Sequence, residues 1–171
     1  MNYVPRTCKE ALENTEAQPA PSYPLTDHRE VSAYVLLGAP GIGKTTSFKK
    51  EAEALPNAIY VTARDFINLE DYEKWQNKTL FIDGLDEVRA GASDPREPFD
   101  LIRKNLKNFE YPKFRLSCRE ADWFGAGDRE NLSAVSSDGQ VKVLHGFDNL
   151  KLTPKRAKRS RKIDPPGAGL W

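Results

Sequence analysis

The chain has 171 residues, enough for one α/β core with tails and too few for two full domains, and its 26 Lys and Arg nearly balance 25 Asp and Glu. No apolar run approaches the roughly 20 residues that cross a bilayer, and no charged-then-apolar leader opens the chain, so a cytoplasmic protein without membrane contact is expected. Cys8 and Cys118 build no disulfide framework and fit no zinc spacing with His28 and His145.

Residues 1–30 read as a Pro-rich, largely irregular extension. Pro5, Pro19, Pro21 and Pro24 interrupt it, and a short helix fits only near Cys8 to Asn14. A core is expected over 31–146. Ala33 to Leu37 is an unbroken apolar run, the pattern of a parallel strand covered on both faces. A glycine-rich turn follows, then a helix over Thr45 to Leu55 with Phe48, Ala52 and Leu55 at helical spacing.

A second strand is expected at Ala58 to Val61, a short helix at Leu69 to Trp75 and a third strand at Thr79 to Ile82. After a loop containing Gly91 and Pro95, Phe99, Ile102, Leu106 and Phe109 mark one face of another helix. Lys113 to Ser117 reads as a fourth strand and Gln140 to Leu144 as a fifth. Strands alternating with helices require crossovers, hence a mostly parallel five-stranded sheet with ligands beyond its carboxyl edge. Residues 147–171 form a basic tail with Lys155, Arg156, Lys158 and Arg159, expected to be a solvated, disordered end. Such a cluster also attracts nucleic acid, but no aromatics interleave with it to stack on bases, so that contact is the lesser expectation.

Gly38-Ala39-Pro40-Gly41-Ile42-Gly43-Lys44-Thr45 fits GxxxxGK[ST], and Thr46 follows inside the helix. This is a P-loop, or Walker A, between an apolar strand and an amphipathic helix. Its glycines let successive amides close around phosphate oxygens. Lys44 can meet the β- and γ-phosphates, and Thr45 offers a hydroxyl to magnesium.

A phosphate cradle calls for an apolar strand ending in an acid, and Leu80-Phe81-Ile82-Asp83 supplies it. Asp83 is therefore the Walker B candidate for magnesium. Asp83-Gly84-Leu85-Asp86-Glu87 adds two carboxylates that can orient or deprotonate water, and either Asp86 or Glu87 can take that role. The alternative is that they cap the next segment or pair with arginines. The fourth strand ends Ser117-Cys118-Arg119-Glu120. If it lies between the cradle strand and the Asp83 strand, its tip faces the γ-phosphate, and Arg119 is the candidate sensor. The competing reading is a salt bridge from Arg119 to a neighbouring acid. Cys118 reads as packing.

VLLGAPGIGKTT, LFIDGLDE and FRLSCRE, in that order, resemble the STAND class of P-loop NTPases, and its NACHT-like branch most closely. The resemblance covers roughly Ser32 to Leu144 and implies a three-layer P-loop NTPase fold that binds ATP or ADP with Mg2+. It implies that Lys44 and Thr45 bind phosphate and magnesium, Asp83 holds magnesium, Asp86 or Glu87 assists hydrolysis and Arg119 matches a sensor position. It further implies a slow, regulated ATPase switch that self-associates in full-length form, with bacterial relatives often in phage defence. Family members continue into a helical subdomain and a winged helix, whereas Val143-Leu144-His145 here runs into the basic tail. A truncated switch is the expectation, with a non-hydrolysing nucleotide-binding module or a P-loop small-molecule kinase as alternatives.

Overall fold

All five residues of Ala33–Leu37 are buried, because an uninterrupted apolar strand must be covered on both faces. They form the central strand of the structure, a computed structural model that describes residues 6–10 and 22–146. In chain order the strands are β1 (Thr7–Glu10), β2 (Ser22–Pro24), β3 (Ala33–Leu37), β4 (Ala58–Thr62), β5 (Thr79–Asp83), β6 (Phe114–Cys118) and β7 (Lys142–Gly146). The helices are α1 (Lys44–Ala54), α2 (Ala63–Asn68), α3 (Tyr72–Trp75), α4 (Leu85–Ala90), α5 (Arg96–Asn108) and α6 (Gly125–Ser133).

The strands make one sheet in the order β2-β1-β7-β3-β6-β5-β4. From β7 to β4 every pairing is parallel, and β1 runs antiparallel to both β7 and β2. The architecture is α/β with a mostly parallel sheet, as expected, but it has seven strands rather than five. The five expected strands are all present, and β6 does lie between β3 and β5. The last is displaced from Gln140–Leu144 to Lys142–Gly146, which carries His145 to the sheet's carboxyl edge.

The period-2 alternation of each strand sorts the core into two halves. Ala33, Val35, Leu37, Leu80, Ile82, Phe114 and Leu116 face α2 to α6, joined by Phe66, Leu85, Phe99, Ile102 and Leu132. Tyr34, Leu36, Phe81 and Leu144 face the other way, onto Phe48 and Ala52 of α1. Phe48 is fully buried there, with its ring edge-on to Tyr34 at 6.3 Å and Phe81 at 5.3 Å. These contacts fix the helix that opens at the glycine-rich loop.

The irregular N-terminal extension is corrected within the described residues. Thr7–Glu10 is a strand, not the start of a helix, and Ser22–Pro24 pairs with it. Cys8 supplies the reason: it is buried among Leu25, Leu36, Phe48 and Leu144, so this segment completes a core. The helix expected at Leu69–Trp75 is also redrawn. Thr62 accepts the Asp65 N–H at 3.1 Å and starts α2 early, left-handed Leu69 ends it, and only Tyr72–Trp75 remains for α3. Helices α2, α4 and α6 are not among the expected elements, α2 lying wholly before the expected Leu69–Trp75 span. The basic tail at 147–171 lies outside the described residues.

Candidate functional site

At the carboxyl edge of β3 the chain turns through Gly38 to Gly43 and enters α1 at Lys44. Gly43 has φ +99°, a left-handed conformation that costs an L side chain energy but costs glycine little. That turn places Lys44 and Thr45 in the first turn of α1, where unpaired backbone N–H groups and the helix dipole both favour an anion. The loop is tied to its neighbour, because Gly38 N–H donates to the Cys118 carbonyl at 3.3 Å. The Lys44 ammonium lies across the loop, donating to the carbonyls of Gly38 at 2.8 Å and Ala39 at 3.0 Å. Burial lowers the Lys44 pKa from its ordinary value, while Asp86 and Asp83 pull it back up.

Asp83 ends β5 directly opposite. Its Oδ2 accepts the Thr45 hydroxyl at 2.6 Å and the Tyr60 phenol at 2.8 Å, and its Oδ1 accepts the Ser117 hydroxyl. Ser117 is fully buried, and its oxygen accepts the Gly84 N–H at 2.9 Å. Burial, reinforced by the bond to Asp83, pushes the Tyr60 phenol upward and keeps it a donor. Because Thr45 spends its proton on Asp83, its oxygen lone pairs remain for a cation. A hydroxyl and a carboxylate in contact beside a lysine form an all-oxygen donor set suited to magnesium.

Gly84, at φ +91°, turns the chain into α4 immediately after Asp83. The first turn of α4 carries Asp86 and Glu87, which part ways. Asp86 is buried and bound to Arg119, its Oδ1 accepting the backbone N–H at 3.2 Å and its Oδ2 forming an ion pair with the guanidinium, 3.1 Å from Nε. Glu87 is exposed and folds back against Gly84. The structure therefore gathers Pro40, Gly41, Gly43, Lys44, Thr45 and Thr46 with Asp83, Asp86, Glu87 and Arg119 around one cleft of about 320 Å³. Gly38, Ala39 and Ile42 complete the loop behind it.

Three residues at this edge were not anticipated. Tyr60 and Ser117 bind Asp83 as described. Arg6 reaches the loop because β1 is antiparallel, so its first flanking residue emerges at the carboxyl edge. Its guanidinium carbon lies 3.3 Å from where a Cβ on Gly43 would stand. Cys118 is sealed in the core, and burial pushes its thiol up to about 12, as packing requires.

A larger cleft of about 780 Å³ lies between α4, α5 and α6. Its strongest donor is already occupied: Arg89 makes a two-pronged pair with Asp128 at 2.7 and 3.0 Å and donates to the carbonyls of Asp122 and Pro95. Its guanidinium also lies over the rings of Phe99 at 4.9 Å and Phe124 at 4.1 Å. That cleft is built for cohesion, whereas the smaller one gathers groups that suit phosphate and metal. Compared with known proteins, the chain matches no family model, and no curated protein matches it.

Proposed function

We propose that this chain binds a nucleoside triphosphate with magnesium and hydrolyses it slowly, as the nucleotide module of a STAND- or NACHT-like switch. The observation that carries this reading is the 2.6 Å contact between Thr45 Oγ1 and Asp83 Oδ2. It spans the mouth of a glycine-rich loop that holds the Lys44 ammonium. The resemblance of its motifs to the STAND class favours ATP over GTP, a cytoplasmic setting and self-association in signalling, including antiphage defence.

In this reading the backbone amides of residues 41–46 and the Lys44 ammonium hold the β- and γ-phosphates. Thr45 and Asp83 hold magnesium, which when bound neutralises charge on the phosphate oxygens. Glu87 takes the water-orienting role, because it is the exposed carboxylate of the pair and lines the cleft. Asp86 instead holds Arg119, which the terminal phosphate can draw away. The kinase alternative loses support: Arg115 is buried over the Tyr34 ring, and Arg103 is engaged with Asp100 and the Asn131 carbonyl, so neither joins Arg119 in a lid.

The test is calorimetric titration of ADP and ATP, with and without magnesium, on the wild type and Lys44→Ala, followed by phosphate release. Magnesium-dependent binding lost in Lys44→Ala is expected, with slow release abolished in Glu87→Gln. Equal binding by wild type and Lys44→Ala removes the phosphate site. Binding without release makes the chain a non-hydrolysing module.

A further inference from the structure

Resting on the nucleotide reading above, we propose that Tyr60 is a positioning residue for the Asp83 carboxylate and sets the site's preference for magnesium over calcium. Tyr60 lies on β4, in register with Phe81 of β5, so it sits two residues back from Asp83 on the same face of the sheet. From there the phenol reaches forward to Asp83 Oδ2 at 2.8 Å. The Lys49 ammonium lies 5.2 Å from the centre of the Tyr60 ring, so α1 holds the ring against the sheet.

The count of acceptor sites gives this contact its meaning. A carboxylate offers about four lone-pair sites. Asp83 spends two on Oδ2, to Thr45 and Tyr60, and one on Oδ1, to Ser117. The Ser117 proton is aimed by the Gly84 N–H behind it. Calcium takes six to eight oxygen ligands and often grips a carboxylate through both oxygens, whereas magnesium keeps several waters and uses fewer protein oxygens. A carboxylate with both oxygens already engaged resists the two-oxygen grip. Its aim is also held from β4, α1 and β6 together, so it does not swing to suit a larger ion.

The experiment is calorimetric binding of a non-hydrolysable ATP analogue to the whole chain in EDTA, magnesium or calcium. Tyr60→Phe keeps the ring and its packing while removing one hydroxyl. Affinity in EDTA is expected to match wild type, while the gain conferred by magnesium drops about tenfold or more, the usual scale for losing an outer partner of a ligand. The ratio of magnesium to calcium gain is expected to fall with it. Ser117→Ala, which strips the other oxygen, is expected to act in the same direction. An unchanged magnesium gain in Tyr60→Phe overturns the inference, as does an equal fall in EDTA, which marks a damaged pocket rather than a misaimed carboxylate. A wild type without any magnesium gain overturns the nucleotide site along with it.

Discussion

Asp86 grips Arg119 at two points, its Oδ2 lying 3.1 Å from the guanidinium Nε and its Oδ1 accepting the backbone N–H at 3.2 Å. The carboxylate is buried and the arginine is half exposed, so the acid is the fixed partner and the cation the movable one. The backbone bond anchors the tip of β6 whether or not the guanidinium stays. On the proposed reading, a terminal phosphate in the cleft would compete with Asp86 for the side chain alone.

Arg119→Ala is therefore expected to weaken triphosphate binding about tenfold while leaving diphosphate binding nearly unchanged, the scale of one hydrogen bond to a charged group. Parallel titrations with ATP and ADP check this. Equal losses for both nucleotides would remove the sensing role.

Affinity for either nucleotide is expected to fall as pH rises, and to begin falling below the ordinary lysine value. Burial lowers the Lys44 pKa in the ligand-free protein, so its proton, and with it the attraction for phosphate, is lost earlier than from an exposed lysine. Titrations across the alkaline range measure the effect. Lys44→Arg, which stays charged, is expected to flatten the profile.

Removing the Phe48 ring empties the space between Tyr34 and Phe81 that pins α1. Phe48→Ala is expected to cost about 3–5 kcal/mol of unfolding free energy, measured by urea denaturation. The loop rides on that helix, so nucleotide affinity should fall before the midpoint is reached.

Arg6 stands against Gly43 at the mouth of the loop. Arg6→Ala is expected to weaken nucleotide binding about two- to fivefold, as an exposed charge at high dielectric would, and the loss should shrink in high salt. A salt-independent loss would point to packing instead.

What the sequence disclosed follows from how each element is stabilised. The strands β3 and β5 and the loop between β3 and α1 are readable because apolar runs and a spaced glycine pattern carry their own local cause. Helix α5 is readable from its Phe99, Ile102 and Leu106 stripe. Helix α4 is six residues long and starts only because Gly84 adopts a left-handed turn, which no periodicity announces. Helix α6 buries chiefly Asp128 and Leu132, and what holds it is an ion pair to Arg89, 39 positions earlier. Strand β1 shows one buried residue, Cys8, among polar neighbours, too short a pattern to register. Tyr60 looks like any strand aromatic. Only the pairing of β4 with β5 reveals that its hydroxyl has a carboxylate to serve.

Because β1 runs against β7, with Cys8 opposite Gly146, the described core is entered near Arg6 and left near Gly146 at a single rim, the one that holds the loop. If a nucleotide binds as proposed, its effect need not cross the protein's interior. Segments attached at Arg6 and at Gly146 begin their paths beside that loop.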